Sequence, residues 1–274
     1  MTQNRRKQEN WLGKNMSELV SIIMPSYNTG RFIKEAIDSV LAQTHSHWEL
    51  LIVDDCSTDD TDAVIKPYLA DERIRYFKNE QNSGAAVSRN RALREAKGKW
   101  IAFLDSDDVW HAEKLERQIR FMNQTGYKFT YTDYRIQLNG TWLPYVYYGP
   151  NVVNKKKMMD YCYFSTITVM YDREYVGLVQ IAPIRKNNDY AMWLKIIEKT
   201  PCYRLPECLS YYIKHDGSIS SGSKLKLIKH HYILWRVAEK KSVCAALILT
   251  CRNLFWGAIK KIKYRSEANE NVSV

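Results

Sequence analysis

The chain has 274 residues, 45% apolar and 26% charged, enough to bury a sizeable core and a composition that excludes a disordered or fibrous protein. Its formal charge of +11 is unevenly placed: twelve Lys/Arg against two acids fall between Lys214 and Arg265, so the basic character belongs to the C-terminal end. Six cysteines with neither a CxxC pair nor a Cys/His zinc spacing read as reduced thiols of a cytosolic protein.

In chain order, the polar opening "MTQNRRKQENWLGKNMSEL" lacks the apolar core of a signal peptide, and residues 1–17 read as a loose tail. From Leu19 short apolar runs alternate with helical patterns: "LVSIIM" then "GRFIKEAIDSVLAQ", "WELLIV" then "STDDTDAVIKPYLA", "IRYFKN" then "GAAVSRNRALREAKG", "WIAFL" then "AEKLERQIRFMNQ". This alternation predicts an α/β fold, a mostly parallel sheet with helices on its faces. The runs "SIIM", "LLIV" and "IAFL" are continuously apolar, as strands covered on both faces should be, and each ends in a polar loop. Ligands of open parallel sheets bind outside the carboxyl ends of the strands, so the loops "PSYN", "DDCSTDD" and "DSDD" should face one site.

After Gly126 the text turns β-rich, with "YKFTYTDYRIQ", "TWLPYVYY" and "FSTITVMY", then one helical pattern, "NNDYAMWLKIIEK", and a strand-like "LSYYIKH". No Pro/Gly/Ser linker separates the halves, so a single domain over 18–221 is expected, followed by a helical, basic segment over 222–274.

Asp54 and Asp55 follow one strand; Asp105, Asp107 and Asp108 follow another. Aspartates serve widely as helix caps and turn formers, which accounts for Asp59 and for Asp108 as a cap of the following turn. Capping does not account for acid at the ends of two separate strands, where like charges repel unless a cation lies between them. An oxygen-rich, cysteine-free cluster suits Mg²⁺ or Mn²⁺, whose shell is typically completed by substrate phosphate oxygens. There is no P-loop and no GxGxxG turn, which argues against an ATPase or kinase. Gly84 opens a helix and Arg89 lies one turn in, within reach of a diphosphate, although a solvated arginine would fit the same pattern.

The segments "VSIIMPSYNTGRFIKEAIDSVLAQTHSHWELLIVDDCSTDDT", "NSGAAVSRNRALREAKGKWIAFLDSDDVW", "NDYAMWLKI" and "YYIKHDGSIS", in this order from about Leu19 to Ser221, together resemble a family 2 glycosyltransferase of GT-A fold. The resemblance implies an inverting transferase that uses a UDP-sugar and a divalent metal. It implies that Pro25, Tyr27 and Asp55 line the base, with Asp55 accepting from the uracil imide, that Arg89 lies near the nucleotide and Asp105 near the ribose, and that Asp107 ligates the metal. It makes Asp189 the base that deprotonates the acceptor hydroxyl, with Asn188 standing where relatives carry glutamate. His215 matches a basic or histidine position near metal and diphosphate, with Lys214 beside it. Within the family the pattern is most similar to enzymes of O-antigen, capsule or teichuronic acid synthesis. Trp193, at helical spacing, reads as core.

The end of the chain, "LKLIKHHYILWRVAEKKSVCAALILTCRNLFWGAIKKIKYR", mixes apolar and basic residues at helical spacing, as helices lying in an anionic membrane interface do. No transmembrane helix is expected, because Arg252 and Asn253 interrupt the run from Val243 to Ile259. The expected protein is therefore a peripheral enzyme of the cytoplasmic membrane face, with a glycan or lipid-diphosphate-linked acceptor and no nucleic acid partner. A metal-dependent nucleotidyltransferase is the alternative, and a nucleic-acid-binding module built on the basic tail is the third reading.

Overall fold

The computed structural model describes residues 18–215 and 224–268. Its first half is the expected alternation: β1 (Val20–Ser26), α1 (Ile33–Leu41), β2 (Trp48–Asp54), α2 (Thr61–Ile65), β3 (Ile74–Lys78), α3 (Ala85–Glu95) and β4 (Trp100–Phe103). β1 pairs parallel with β2 on one side and β4 on the other, and β2 pairs parallel with β3. Every residue of β1, β2 and β4 is buried. Alternation along the strands explains this: Val20, Ile22, Met24, Leu50 and Ile52 face one layer, while Ile23, Leu51, Val53, Ile101 and Phe103 face the other. α1 covers the first layer with Ile33, Ala36, Ile37 and Val40, spaced i, i+3, i+4, i+7, and α3 covers the second with Ala92 and Leu93. Each large side chain so buried contributes about 1.5–3 kcal/mol.

The pattern "STDDTDAVIKPYLA" does not form one helix. Pro67 lacks an N–H to continue the ladder, so α2 stops at Ile65 and a 3₁₀ turn, Lys66–Ala70, takes over.

The second half contains β5 (Val109–Trp110), α4 (Lys114–Thr125), β6 (Phe129–Leu138), β7 (Thr141–Tyr147), β8 (Val152–Val153), α5 (Lys155–Asp160), β9 (Val169–Asp172), α6 (Arg173–Val176), α7 (Asn188–Ile196) and β10 (Cys202–Lys214). Here the sheet departs from the parallel expectation. β9 runs antiparallel between β4 and β6, β6 and β7 form a hairpin, and β10 pairs antiparallel with β5 and β8 although parallel with β6. The sheet is therefore mixed, ordered β11-β7-β6-β9-β4-β1-β2-β3, with β11 (Arg265–Glu267) at its edge. The hairpin was written in the sequence: Asn139 and Gly140 both have positive φ, 48° and 84°, which a tight two-residue turn requires. "FSTITVMY" is not all strand either. Thr168 turns its Oγ1 and N–H back onto Ser165 O at 2.7 and 3.1 Å, which holds Thr166–Thr168 in a 3₁₀ turn and delays β9 to Val169.

At the C-terminal end, α8 (Lys224–Ile233) passes through a π-helical turn, Leu234–Ala238, before α9 (Val243–Lys263) leads to β11, which pairs with β7. Arg252 and Asn253 do not interrupt α9. Arg252 binds Asp160, and the fully buried Asn253 donates to Met159 O (3.0 Å) and Asp160 O (2.7 Å) while accepting from Trp235 Nε1 (2.8 Å). Both side chains point into the domain, so the helix runs on for 21 residues. By length and composition Val243–Lys260 could cross a membrane, yet Ala246, Leu249, Thr250 and Asn253 are packed against the protein along its inner side. The six cysteines are free, and Trp193 is core, edge-on to Phe103 at 5.1 Å.

Candidate active site

The first two strand-end loops are stitched together by short polar side chains. Asn28, at φ 52°, donates its N–H to Ser57 Oγ (2.8 Å) and accepts from Thr58 N (2.8 Å). Asp59 accepts from Gly30 N (3.0 Å) and Thr61 N (3.1 Å), so it links the β1 loop to α2. A Cβ at Gly30 would come within 1.9 Å of Asp60 Oδ1, so a larger residue there would have to displace the exposed Asp60 side chain. Pro25 is buried in register with Val53, and Tyr27 stands 47% exposed at the rim.

Asp55 is buried and heavily bonded. Oδ1 accepts from Asn79 Nδ2 (2.8 Å) and Ser83 N (3.0 Å), Oδ2 from Ser83 N (3.1 Å) and Gly84 N (2.6 Å). Two carboxylate oxygens offer about four acceptor positions. In this conformation they hold the loop before α3, and an imide donor would have to displace one of these partners.

Beyond β4, the "DSDD" loop divides its carboxylates. Asp108 is fully buried; Oδ1 accepts from Ile213 N at 2.8 Å and Oδ2 has no partner among the described residues. Asp108 therefore ties the loop to β10 instead of capping the next turn, and burial, with Asp107 and Asp105 nearby, raises its carboxyl well above the usual range. Asp105 is held by Arg89, whose Nη2 donates to Oδ1 at 2.5 Å, while Nη1 donates to Asn188 Oδ1 at 3.3 Å. Burial alone would lower this guanidinium; Asp105, Asp189 and Asp107 outweigh it and raise it. Arg89 is thus no solvated arginine. It braces the strand-end loop against the start of α7, and Asn188 is an acceptor for it where glutamate would add another charge.

Asp107 and His215 meet at 3.3 Å, and the imidazole stacks on Phe32 with centroids 4.1 Å apart. Burial and then the Asp105 carboxylate raise the Asp107 carboxyl, with His215 opposing them. A carboxylate and an imidazole beside surplus negative charge fit a hard divalent cation that shares its shell with substrate oxygens. Among the described residues no three His, Cys, Asp or Glu side chains converge.

Asp189 lies in the first turn of α7, half-buried, after Asn187 in the left-handed region at φ 58°. Thr166 Oγ1 donates to Oδ2 (2.8 Å) and Tyr190 N to Oδ1 (2.8 Å), which fixes the carboxylate plane. Close by, Cys162 is pushed up to about 12 by burial and by Asp189, and its carbonyl accepts from Lys260 Nζ of α9 at 3.3 Å. Burial lowers Lys260 to about 8. Sequence reasoning missed Thr166 and Lys260: the first lay in a presumed strand, and the second lay in a segment read as an appendage. The one available signal was the lysine spacing on α9, which places Lys260 near the inner side with Asn253.

Known proteins show the same architecture. The pattern of Glycosyl transferase family 2 matches residues 21–174. A Bacillus subtilis protein assigned to teichuronic acid biosynthesis, glycosyltransferase TuaG, is 42% identical over 229 residues, covering 82% of this chain and 90% of that one. WfaP of Escherichia coli, a UDP-Glc:alpha-D-GlcNAc-diphosphoundecaprenol beta-1,3-glucosyltransferase, is 39% identical over 224 residues, 81% of this chain and 88% of its own. Among solved structures, S. aureus TarS 1–349 in complex with UDP-GlcNAc superposes with a TM-score of 0.69 at 20% identity, covering 86% of this chain and 71% of that one.

Proposed function

The chain belongs to glycosyltransferase family 2, and from that premise we propose that it moves one hexose or N-acetylhexosamine from a UDP-sugar to a lipid-diphosphate-linked glycan acceptor, with inversion, in surface polysaccharide assembly. The observation that carries this reading is the Arg89 brace, which brings the Asp105/Asp107 loop and the Asp189 helix start to one guanidinium.

In this reading Pro25 and Tyr27 bound the base pocket, the loop held by Asp55 closes it, Arg89 keeps Asp105 turned toward the ribose, and Asp107 with His215 would hold Mg²⁺ or Mn²⁺. The bound cation would supply Lewis-acid stabilisation of charge on the departing diphosphate. Asp189 Oδ, aligned by Thr166, takes the proton of the acceptor hydroxyl as that oxygen attacks C1 from the face opposite UDP.

The outer side of α9 supports membrane contact. Leu247, Ile248, Phe255 and Ile262 are 53–77% exposed and share one face, opposite the buried Ala246, Leu249 and Asn253. Exposed cations flank it, Arg236 and Lys240 at one end and Lys263 and Arg265 at the other. Such a helix lies flat at an anionic, cytoplasmic-face interface. Because Lys260 and Asp189 flank the same Cys162, docking by α9 delivers a lipid-borne acceptor next to the base.

Incubation with UDP-glucose or UDP-N-acetylglucosamine and a synthetic lipid-diphosphate glycan, followed by NMR of the product anomer, tests this. A β-linked product from the α-linked donor is expected. An α-linked product, or release of sugar 1-phosphate in place of UDP, would overturn the proposal.

A further inference from the structure

A cavity of about 610 Å³ lies outside the donor site, between α1, β5, the β6–β7 hairpin and β10. The Phe32–His215 stack separates the two: Glu35, in the cavity wall, is one turn beyond Phe32, and Ile213 precedes His215 by two residues. Its size falls within the range of small-ligand sites.

The walls combine flat aromatic rings with unengaged polar groups. Trp142 is half-buried and edge-on to Tyr211 at 5.5 Å, with the Arg135 guanidinium 5.3 Å from its ring centroid. Tyr211 is only 1% exposed, and its hydroxyl has no partner among the described residues. An unmet buried hydroxyl is destabilising, and a ligand hydroxyl would relieve it. The Glu35 carboxylate and the Gln137 side-chain amide also line the cavity without a hydrogen bond to any described residue. The other carboxylate, Asp38, is already neutralised by Lys34 at 2.6 Å.

This combination selects among ligands. With the Glu35 carboxylate on one wall and the Arg135 guanidinium beside Trp142 on the other, the cavity carries no strong charge of one sign and selects neither an anion nor a cation. An aromatic plane beside a carboxylate, an amide and a hydroxyl matches the apolar face and equatorial hydroxyls of a pyranose. We propose that the cavity is a second carbohydrate subsite that holds one neutral pyranose of a glycan, stacked on Trp142 and hydrogen-bonded to Tyr211, Gln137 and Glu35. The subsite rests on the glycosyltransferase reading only for its class of ligand and not on any donor-site assignment.

Saturation-transfer NMR of the full chain with cellobiose and N,N′-diacetylchitobiose, the donor site being filled with UDP and Mn²⁺, tests the proposal. Wild type should show transfer to sugar protons, with affinity about tenfold weaker in Trp142→Ala and about threefold weaker in Tyr211→Phe. UDP-sugar hydrolysis should stay at the wild-type rate in both variants, which separates this test from failure of the donor-site reading. Absence of transfer in the UDP-filled protein, or transfer indifferent to both Trp142→Ala and the milder Gln137→Ala, overturns it. Kinetics then distinguish the source: a raised acceptor KM at unchanged kcat in Trp142→Ala assigns the pyranose to the acceptor's own glycan, and an unchanged KM assigns it to a separate chain.

Discussion

The strand-end loops and the outer side of α9 each hold groups that are out of place in their surroundings, and they resolve the conflict differently. At the strand ends Asp55 and Asp108 are carboxylates in a dry interior, and backbone N–H donors from Ser83, Gly84 and Ile213 receive them. The chain supplies those partners itself, at fixed positions, so the polar site is organised before any ligand arrives. On α9 the conflict is reversed: Leu247, Ile248 and Phe255 stand in solvent, and no described residue covers them. In the reading proposed above, the membrane interface covers them. Buried polarity with internal donors marks a preorganised site, while exposed apolarity flanked by cations marks a surface awaiting another phase.

Asp107→Ala attacks the first region at its charged centre. Loss of the carboxylate should lower kcat/KM by about 10³-fold, the several kcal/mol that metal-assisted charge stabilisation is worth, as read by UDP release. UDP affinity unchanged in the presence of Mn²⁺ would remove Asp107 from the metal site and sever that region from catalysis.

The second region is tested by Leu247→Ser, Ile248→Ser and Phe255→Ser combined. Each side chain is more than half exposed, so stability should change little, whereas partition onto anionic vesicles should fall by about 10²-fold or more as several kcal/mol of apolar burial is lost. Unaltered vesicle sedimentation would leave the apolar stripe without its proposed phase.

A smaller effect sharpens the comparison from inside the core. Lys114 is fully buried against Trp110, its Nζ 3.7 Å from the ring centroid and without a hydrogen-bond partner among the described residues. The ring's attraction, about 2 kcal/mol, is less than the several kcal/mol that burying an ammonium costs. Burial accordingly holds this lysine well below its ordinary value of 10.5. Below 10.5 the unfolded chain binds a proton that the folded chain resists, so the destabilisation is present at neutral pH and fades as pH rises toward 10.5. Lys114→Met should raise stability at neutral pH by about 1–3 kcal/mol, and the gain should shrink in alkaline solution. A gain that is flat with pH would mean that Lys114 is not the buried amine it resembles.

What was legible in the sequence follows the same division. β1, β2 and β4 could be read because strands buried on both faces are written as unbroken apolar runs, whereas the β6–β7 hairpin went unread although Asn139-Gly140 carries its signal. The antiparallel placement of β9 could not be read, since its pairing with β4 and β6 is decided by contacts distant in sequence. Aspartates at strand ends flagged the site, yet composition is silent on which of them the chain engages itself: Asp55 is filled by Asn79, Ser83 and Gly84, and Asp108 receives Ile213 N on one oxygen. Arg252 and Asn253 interrupted the apolar run because their charge and polarity were visible while their partners, Asp160 and Trp235, were not.

The central claim is that Asp189, set against the DSDD loop by the Arg89 brace and aligned by Thr166, is the base for sugar transfer. The most direct measurement pairs calorimetry of UDP binding with turnover in Asp189→Asn, which keeps the side-chain shape and an acceptor oxygen for Thr166. UDP affinity in Mn²⁺ equal to wild type, with transfer reduced by about 10²–10⁴-fold, is the result this account predicts. Turnover close to wild type in the folded variant would contradict it.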